Sequence, residues 1–254
     1  MNCRLYVAHS LGILGYPEQA RQQYQAVLIR AQELAHAFTL VHALNMVTVG
    51  HQLRREGRAR QERAETLIAL CMEQGFPLYL AWATTLRGWA LATQGQTAEA
   101  LAQMRQGLAA VCATGAELLV PYFLALLADA CGHAAQAEEG LRLLAEALVM
   151  ADHHAERWYE AELYRFKGEL LLAQSPHQHT DAESCFQHAL GLAGAQQAKS
   201  WELRAAMSLA RLWQQQGKQA EAHELLAPIY GWFMEGFDTP DLKEARVLLA
   251  ELGG

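Results

Sequence analysis

The sequence predicts an all-α protein, a right-handed α-solenoid of about six stacked helix pairs that ends in a short capping helix. Three observations predict it. The chain is heavy in Ala, Leu, Gln and Glu, the good helix formers, with six prolines and 8% aromatic residues, which leaves little from which to build strands. A tight-turn phrase with the spacing G-x-x-x-x-A occurs three times, as GYPEQA from Gly15, GQTAEA from Gly95 and GKQAEA from Gly217. The length of 254 residues exceeds what one globular core usually organises, and it suits a stack of short units packed on their neighbours.

Aligning the phrases places Ala20, Ala64, Ala100, Gly140, Ala182 and Ala222 at one equivalent position. Only small residues occur there, as expected where the second helix of each pair crosses the first closely. A second small column, Ala8, Gly50, Gly88, Ala128, Gly168 and Ala210, lies 12 to 14 residues earlier on the first helix, with successive intervals of 42, 38, 40, 40 and 42. One helical turn after the first column come Tyr24, Ile68, Met104, Leu144, Phe186 and Leu226, and three residues further Val27, Cys71, Gly107, Ala147, Ala189 and Ile229. Small, large and small-to-medium residues at i, i+4 and i+7 let two antiparallel helices nest. The tetratricopeptide (TPR) unit resembles these columns. Its usual period is about 34 residues, and the longer period here falls near the HEAT range of about 40–47; the column identities and helices extended by a turn or so read as long-helix TPRs, with HEAT-type pairs as the structural alternative.

In order along the chain, 1–254 reads as a single solenoid with helix pairs over about 1–34, 36–75, 77–115, 118–152, 157–196 and 199–235, and a capping helix over 239–252. Thr239 suits an N-cap, Pro240 the first helical position and Gly253 the stop. Leu242, Ala245, Leu248, Leu249 and Leu252 form its apolar stripe, with Lys243, Glu244 and Arg246 left in water. The beginning differs, because the first pair starts at once with nothing in front to cap it. An open N-terminal end is therefore expected, with self-association through it or a preceding segment to cover it.

The formal charge of −7 gives no field that collects phosphates or anionic lipid, so no nucleic-acid or membrane partner is expected. Five cysteines, at 3, 71, 112, 131 and 185, make no C-x-x-C pair and suit reduced thiols in a cytoplasmic protein. The N-terminus has no secretory h-region, and the longest apolar stretch, Leu118 to Ala128, is far below the ~20 residues of a membrane span.

Longer phrases carry a resemblance. HQLRREGRARQERAETLIALCMEQGFPLYLA, LRGWALATQGQ, ERWYEAELYRFKGELLL and AKSWELRAAMSLARLWQQQGKQAEAHELLAPIYGWF are similar to the C-terminal TPR region of bacterial STAND-type signalling ATPases, which often carry adenylate or guanylate cyclase domains. The resemblance covers nearly the whole chain. It implies a regulatory or sensory arm that binds a protein or peptide partner, or upstream ATPase and cyclase domains of the same polypeptide. A free-standing adaptor and a small-molecule sensor are the alternative readings. No enzyme activity and no cofactor are expected, since the chain has no G-x-x-x-x-G-K-[ST] loop and no G-x-S-x-G elbow.

In such arrays the first helix of each pair lines the concave face. One residue past the small column stand His9, His51, Trp89, Asp129, Glu169 and Arg211, without an aliphatic side chain. Three before it lies Arg165 in the fifth pair, and six before it Trp82, Tyr122, Glu162 and Arg204. These residues are the candidate partner-binding groove, apolar and aromatic in pairs two to four and charged in five and six. The plainer reading is that polar helix residues face solvent. The carboxylate clamp of chaperone-binding TPRs needs Lys and Asn where this chain has Leu5 and His9, so that mode of recognition is not expected. Arg54, Arg55, Arg58, Arg60 and Arg63 form either an acidic-partner site or a solvated turn. His153, His154, His177, His179 and Asp181 have metal-like spacing but sit at helix-pair junctions, without a shell to orient them. The tryptophans 82, 89, 158, 201, 213 and 232 lie at helical spacing and read as packing.

Overall fold

A twenty-residue rhythm organises the backbone. In the computed structural model, residues 2–175 and 177–253 are described, with the side chains of 57–60 outside the described set. Thirteen helices run through the described residues: α1 (Asn2–Leu14), α2 (Pro17–Glu33), α3 (Ala37–Leu53), α4 (Gly57–Gln74), α5 (Pro77–Ala92), α6 (Thr97–Ala113), α7 (Val120–His133), α8 (Ala137–His153), α9 (Glu160–Gln174), α10 (His179–Ala195), α11 (Lys199–Gln215), α12 (Gln219–Gly231) and α13 (Pro240–Gly253). The chain is an all-α helical-repeat solenoid with a C-terminal capping helix.

Left-handed residues stop most of the helices. They stand at Gly15, Ala35, Arg55, Gly75, Gly95, Gly115, Ala135 and Ala155, then at Gln197 and Gly217. A left-handed residue just past a helix redirects the chain and satisfies the last carbonyls. Gly75, for example, donates its N–H to the Cys71 carbonyl at 3.0 Å. Proline at the first turn starts α2, α5 and α7, where its missing N–H costs no helical bond.

The odd-numbered helices form the inner layer: α3, α5, α7, α9 and α11 each touch the next odd helix. The backbones of the even-numbered helices approach only those of their sequence neighbours among the described residues, although Arg105 of α6 reaches Glu139 of α8 at 2.9 Å. The burial pattern follows from that. Eleven residues of α7 are buried, from Val120 through Cys131, whereas outer α8 buries a stripe of Ala137, Gly140, Leu143, Leu144, Ala147 and Ala151. Each large inner side chain, such as the fully buried Phe123 or Leu126, contributes about 1.5–3 kcal/mol of transfer free energy.

The two small columns sit at the helix crossings. A Cβ added to Gly88 would lie 2.9 Å from the Ala100 carbonyl oxygen and 2.6 Å from Met104 Cγ. One added to Gly140 would lie 3.0 Å from the Ala128 carbonyl, and one on Gly168 would strike the Phe186 ring at 2.5 Å. Gly50 is different, because the ring it receives is Tyr24 of the preceding pair. The columns therefore serve packing between pairs as well as within them.

The structure narrows the expectation of an open N-terminal end. The solenoid curves until its ends meet, and α1 packs on α11. Ser200 Oγ donates to the Gly12 carbonyl at 2.6 Å, and Tyr16 meets Trp232 edge-on at 5.5 Å between ring centroids. The segment between α12 and α13 caps α2 across the whole length of the chain. Glu235 Oε1 accepts the backbone N–H of Glu18 at 3.0 Å and of Gln19 at 3.1 Å. Tyr16 provides no side-chain cap, so this carboxylate satisfies two orphan donors at the positive end of the helix dipole. The end of α1 and the start of α2 are thus covered by the chain's own C-terminal segment, because the accumulated rotation of six pairs brings that segment round to them, while Tyr6 and Val7 on α1 and Ile29 on α2 stay exposed.

Candidate functional site

Closure gives the inner layer a chamber of about 760 Å³, with walls drawn from α3, α5, α7, α9, α11 and α13. Eight charges alternate along its wall, seven of them lining it and the eighth, Asp241, lying behind it. Glu169 Oε1 accepts from Arg165 Nη1 at 2.5 Å, and Arg165 Nε donates to Glu162 Oε1 at 2.6 Å. Glu162 Oε2 accepts from Arg204 Nη1 at 3.0 Å, and Arg204 Nε donates to Asp241 Oδ2 at 2.8 Å. Asp241 Oδ1 accepts from Arg55 Nη1 at 2.9 Å, Arg55 Nη2 reaches Glu244 at 2.9 Å, and Arg211 Nη2 donates to Glu244 at 3.2 Å. Arg204 Nη2 also donates to the Leu53 carbonyl, tying α11 to the end of α3.

Burial alone would raise the carboxyls of Glu162 and Asp241. The guanidinium groups of Arg165 and Arg204 outweigh burial at Glu162, those of Arg204 and Arg55 outweigh it at Asp241, and both acids are held below the ordinary carboxylate range. Asp129 goes the other way. Burial pushes it up, the charge of Glu169 adds to the rise, and His133, the Trp89 N–H and Arg165 oppose it without prevailing. Its Oδ2 accepts from Trp89 Nε1 at 2.8 Å.

Seven candidate groove residues therefore line this chamber: Trp89, Asp129, Glu162, Arg165, Glu169, Arg204 and Arg211. Four do not. Tyr122 is completely buried and donates to Gln52 Oε1 at 2.9 Å, and Trp82 is buried against Tyr79 and Phe123, so neither presents a surface to a partner. At Trp82 and Tyr122 the inner helices pack too tightly to leave an aromatic groove, which corrects the assignment for those two residues. His9 lies 2.8 Å from the Tyr24 hydroxyl, and burial lowers its pKa to about 4. His51 is bound to Glu56, whose carboxyl burial would raise but the hydrogen bonds of His51 and Arg54 bring down to about 2.

Sequence reasoning missed Arg55 and Glu244 as parts of the chamber, and Asp241 as the carboxylate that joins Arg55 to Arg204, because they come from a turn and from the capping helix. The arginine cluster divides accordingly. Arg54 is buried on Glu56, Arg55 closes the ring, and the side chains of Arg58 and Arg60 lie outside the described residues. Of the junction histidines, His153 packs against His154, and His154 Nε2 lies 3.3 Å from Glu117; among the described residues no three His, Cys, Asp or Glu side chains are grouped so as to hold an ion. Trp82, Trp89 and Trp201 are buried, and Trp158, Trp213 and Trp232 are partly so. Among the described residues no helix is long and apolar enough to cross a membrane.

No family model matches the chain, and no curated protein does. Solved structures do. A crystal structure of a Signal Transduction ATPase with Numerous Domains (STAND) protein with a tetratricopeptide repeat sensor, from Pyrococcus horikoshii, matches 98% of this chain with a TM-score of 0.53 at 13% identity. The fold is TPR-like. The TPR-like chain spans only 38% of that STAND protein's length. A Podosopora anserina putative kinesin light chain with nearly identical TPR-like repeats matches 91% of this chain and 92% of its own, at 16% identity and a TM-score of 0.46. At these identities the likeness is one of fold.

Proposed function

We propose that this chain is the regulatory and sensory repeat arm of a larger bacterial signalling protein of STAND type, acting by binding rather than by chemistry. One observation carries the proposal: the inner chamber is walled by side chains from both ends of the solenoid. Arg55 near the start and Asp241 and Glu244 near the end meet Arg204 and Arg211 in the middle of the wall. An occupant that competes for any of these charges changes how firmly the ends are held. A TPR-like arm built this way converts occupancy into a change of curvature, which an attached module can read. The likeness to a STAND protein with a repeat sensor, which extends well beyond the matched part, supports the same reading.

The test is the coding sequence upstream of Met1. An in-frame ATP-binding domain is the expected result, and a natural promoter and start immediately ahead of Met1 overturns the proposal. With the parent protein in hand, Arg211→Ala should alter the nucleotide hydrolysis rate of the attached domain. An unchanged rate with every chamber variant counts against the sensory role.

A further inference from the structure

The eight-charge chain is neutral, four arginines alternating with four carboxylates, and its bonds leave the chamber no surplus of positive charge. Asp129 stands outside it. Oδ2 is held by Trp89, but Oδ1 has only His133 Nε2, 3.8 Å away and too far for a hydrogen bond. On the adjoining inner helix, Glu169 uses Oε1 for both Arg165 and Ser208, and its Oε2 accepts no hydrogen bond among the described residues. The two carboxylates are close enough for the charge of one to raise the pKa of the other, although burial is the larger cause at Asp129.

A second group of the chamber wall is also short of a partner. Tyr159 lines the chamber with 2% of its surface exposed, and its buried hydroxyl has no hydrogen-bond partner of acceptable geometry. The amide oxygen of Gln52, the polar group beside it, already accepts from Tyr122. A buried polar group left unpaired is costly, and such a cost persists most readily where a ligand removes it. The unused capacity of the chamber is therefore two carboxylate oxygens and one phenolic hydroxyl. Trp89, Phe166 and Met207 supply apolar wall beside them.

We propose that the chamber binds a small organic cation, a primary amine or guanidine, whose N–H donors are taken by Asp129 Oδ1 and Glu169 Oε2. An anion finds the arginines already satisfied. A metal ion needs more ligands than this pair, and among the described residues no third metal-ligating side chain joins them. A volume of about 760 Å³ falls within the ~300–1,000 Å³ of small-molecule sites. The site names the ligand class of the sensory arm proposed above and rests on that reading for its biological use, not for its existence.

The experiment is isothermal titration calorimetry on the intact chain with four probes: agmatine, n-butylamine, 1-butanol and succinate. Agmatine and butylamine are expected to bind with one site per chain, and butanol and succinate to give no binding heat. Asp129→Asn keeps the side-chain shape and an oxygen for Trp89, and it should weaken agmatine at least tenfold. Asp152→Asn, at an exposed carboxylate on outer α8, should leave affinity within twofold. If Asp129→Asn fails to melt as wild type does, Glu169→Gln, at a half-exposed position, takes its place with the same expected loss. No heat with either cation, succinate binding equal to agmatine, or an unchanged affinity in the folded variant overturns the site. Those results leave the regulatory reading to its own test upstream of Met1, so the two proposals fail separately.

Discussion

Glycine to alanine at three positions should give three different results, and the structure sets the size of each. Gly191 lies on the exposed face of α10 with nothing within 4 Å of an added Cβ, so alanine there stabilises by about the helix-propensity difference, up to ~1 kcal/mol. Gly95 also faces open space, but its φ is +83°. An L side chain in that region costs about 1–2 kcal/mol, which the stiffer unfolded chain offsets by roughly 0.4–1 kcal/mol, leaving a net loss near 1 kcal/mol. Gly88 has ordinary helical φ and no space. Its Cβ would meet Met104 Cγ at 2.6 Å, which can rotate away, and the Ala100 carbonyl oxygen at 2.9 Å, which moves only if α5 and α6 separate. Overpacking of about 1–3 kcal/mol, or more when two backbones must part, exceeds the propensity gain there, for a net loss of about 2 kcal/mol. For a chain of this size about 2–4 °C of Tm accompanies each kcal/mol. Thermal and urea unfolding should therefore rank Gly191→Ala above wild type, then Gly95→Ala, then Gly88→Ala. A Gly88→Ala protein at least as stable as Gly95→Ala would refute the close-crossing argument.

Replacing Arg204 by Met leaves the buried Glu162 with Arg165 alone and Asp241 with Arg55 alone, and should cost about 3–5 kcal/mol by urea denaturation, with part of it recovered when Glu162→Gln and Asp241→Asn are added. Glu235→Ala removes the cap on Glu18 and Gln19, and should cost ~1 kcal/mol and speed amide exchange in α1 and α2, with α7 unaffected. Stability should fall with acid in two stages when Tm is followed from pH 7.5 to 3. His9 is neutral in the fold, with its pKa lowered to about 4. Its contribution is present above the unfolded value of ~6.5 and is lost as pH falls toward 4, and His9→Gln should flatten this limb. Glu162, Asp241 and Glu56 have depressed folded values, so their contribution is present above the unfolded range of ~3.9–4.3 and is lost below it. A Tm that rises on acidification across this range would contradict the assignment.

Much of the fold was legible because close crossings admit only small side chains. Ala20, Ala100, Ala128 and Ala210 are buried completely, as their columns require. Half the turns were not legible. Gly15, Gly95 and Gly217 announced themselves, but the equivalent left-handed positions at Ala35, Arg55, Ala135, Ala155 and Gln197 carry residues that do not favour that conformation, and packing of the flanking helices holds them in it. Within the candidate site, Asp129 and Glu169 were visible as polar residues where a structural column would be aliphatic. Tyr122 was misread because the same register also fits a side chain driven fully into the seam between inner helices.

The sequence by itself determined the helices, their pairing, the column of small residues and the polar character of the inner face, since these depend on local periodicity and on side-chain size at a fixed register. Only the tertiary structure decided that the solenoid closes, that Glu235 caps α2, and that Asp241 joins Arg55 to Arg204. Closure is the sum of small rotations between successive pairs. No single residue encodes that sum, and a few degrees per pair separate an open superhelix from one whose ends meet.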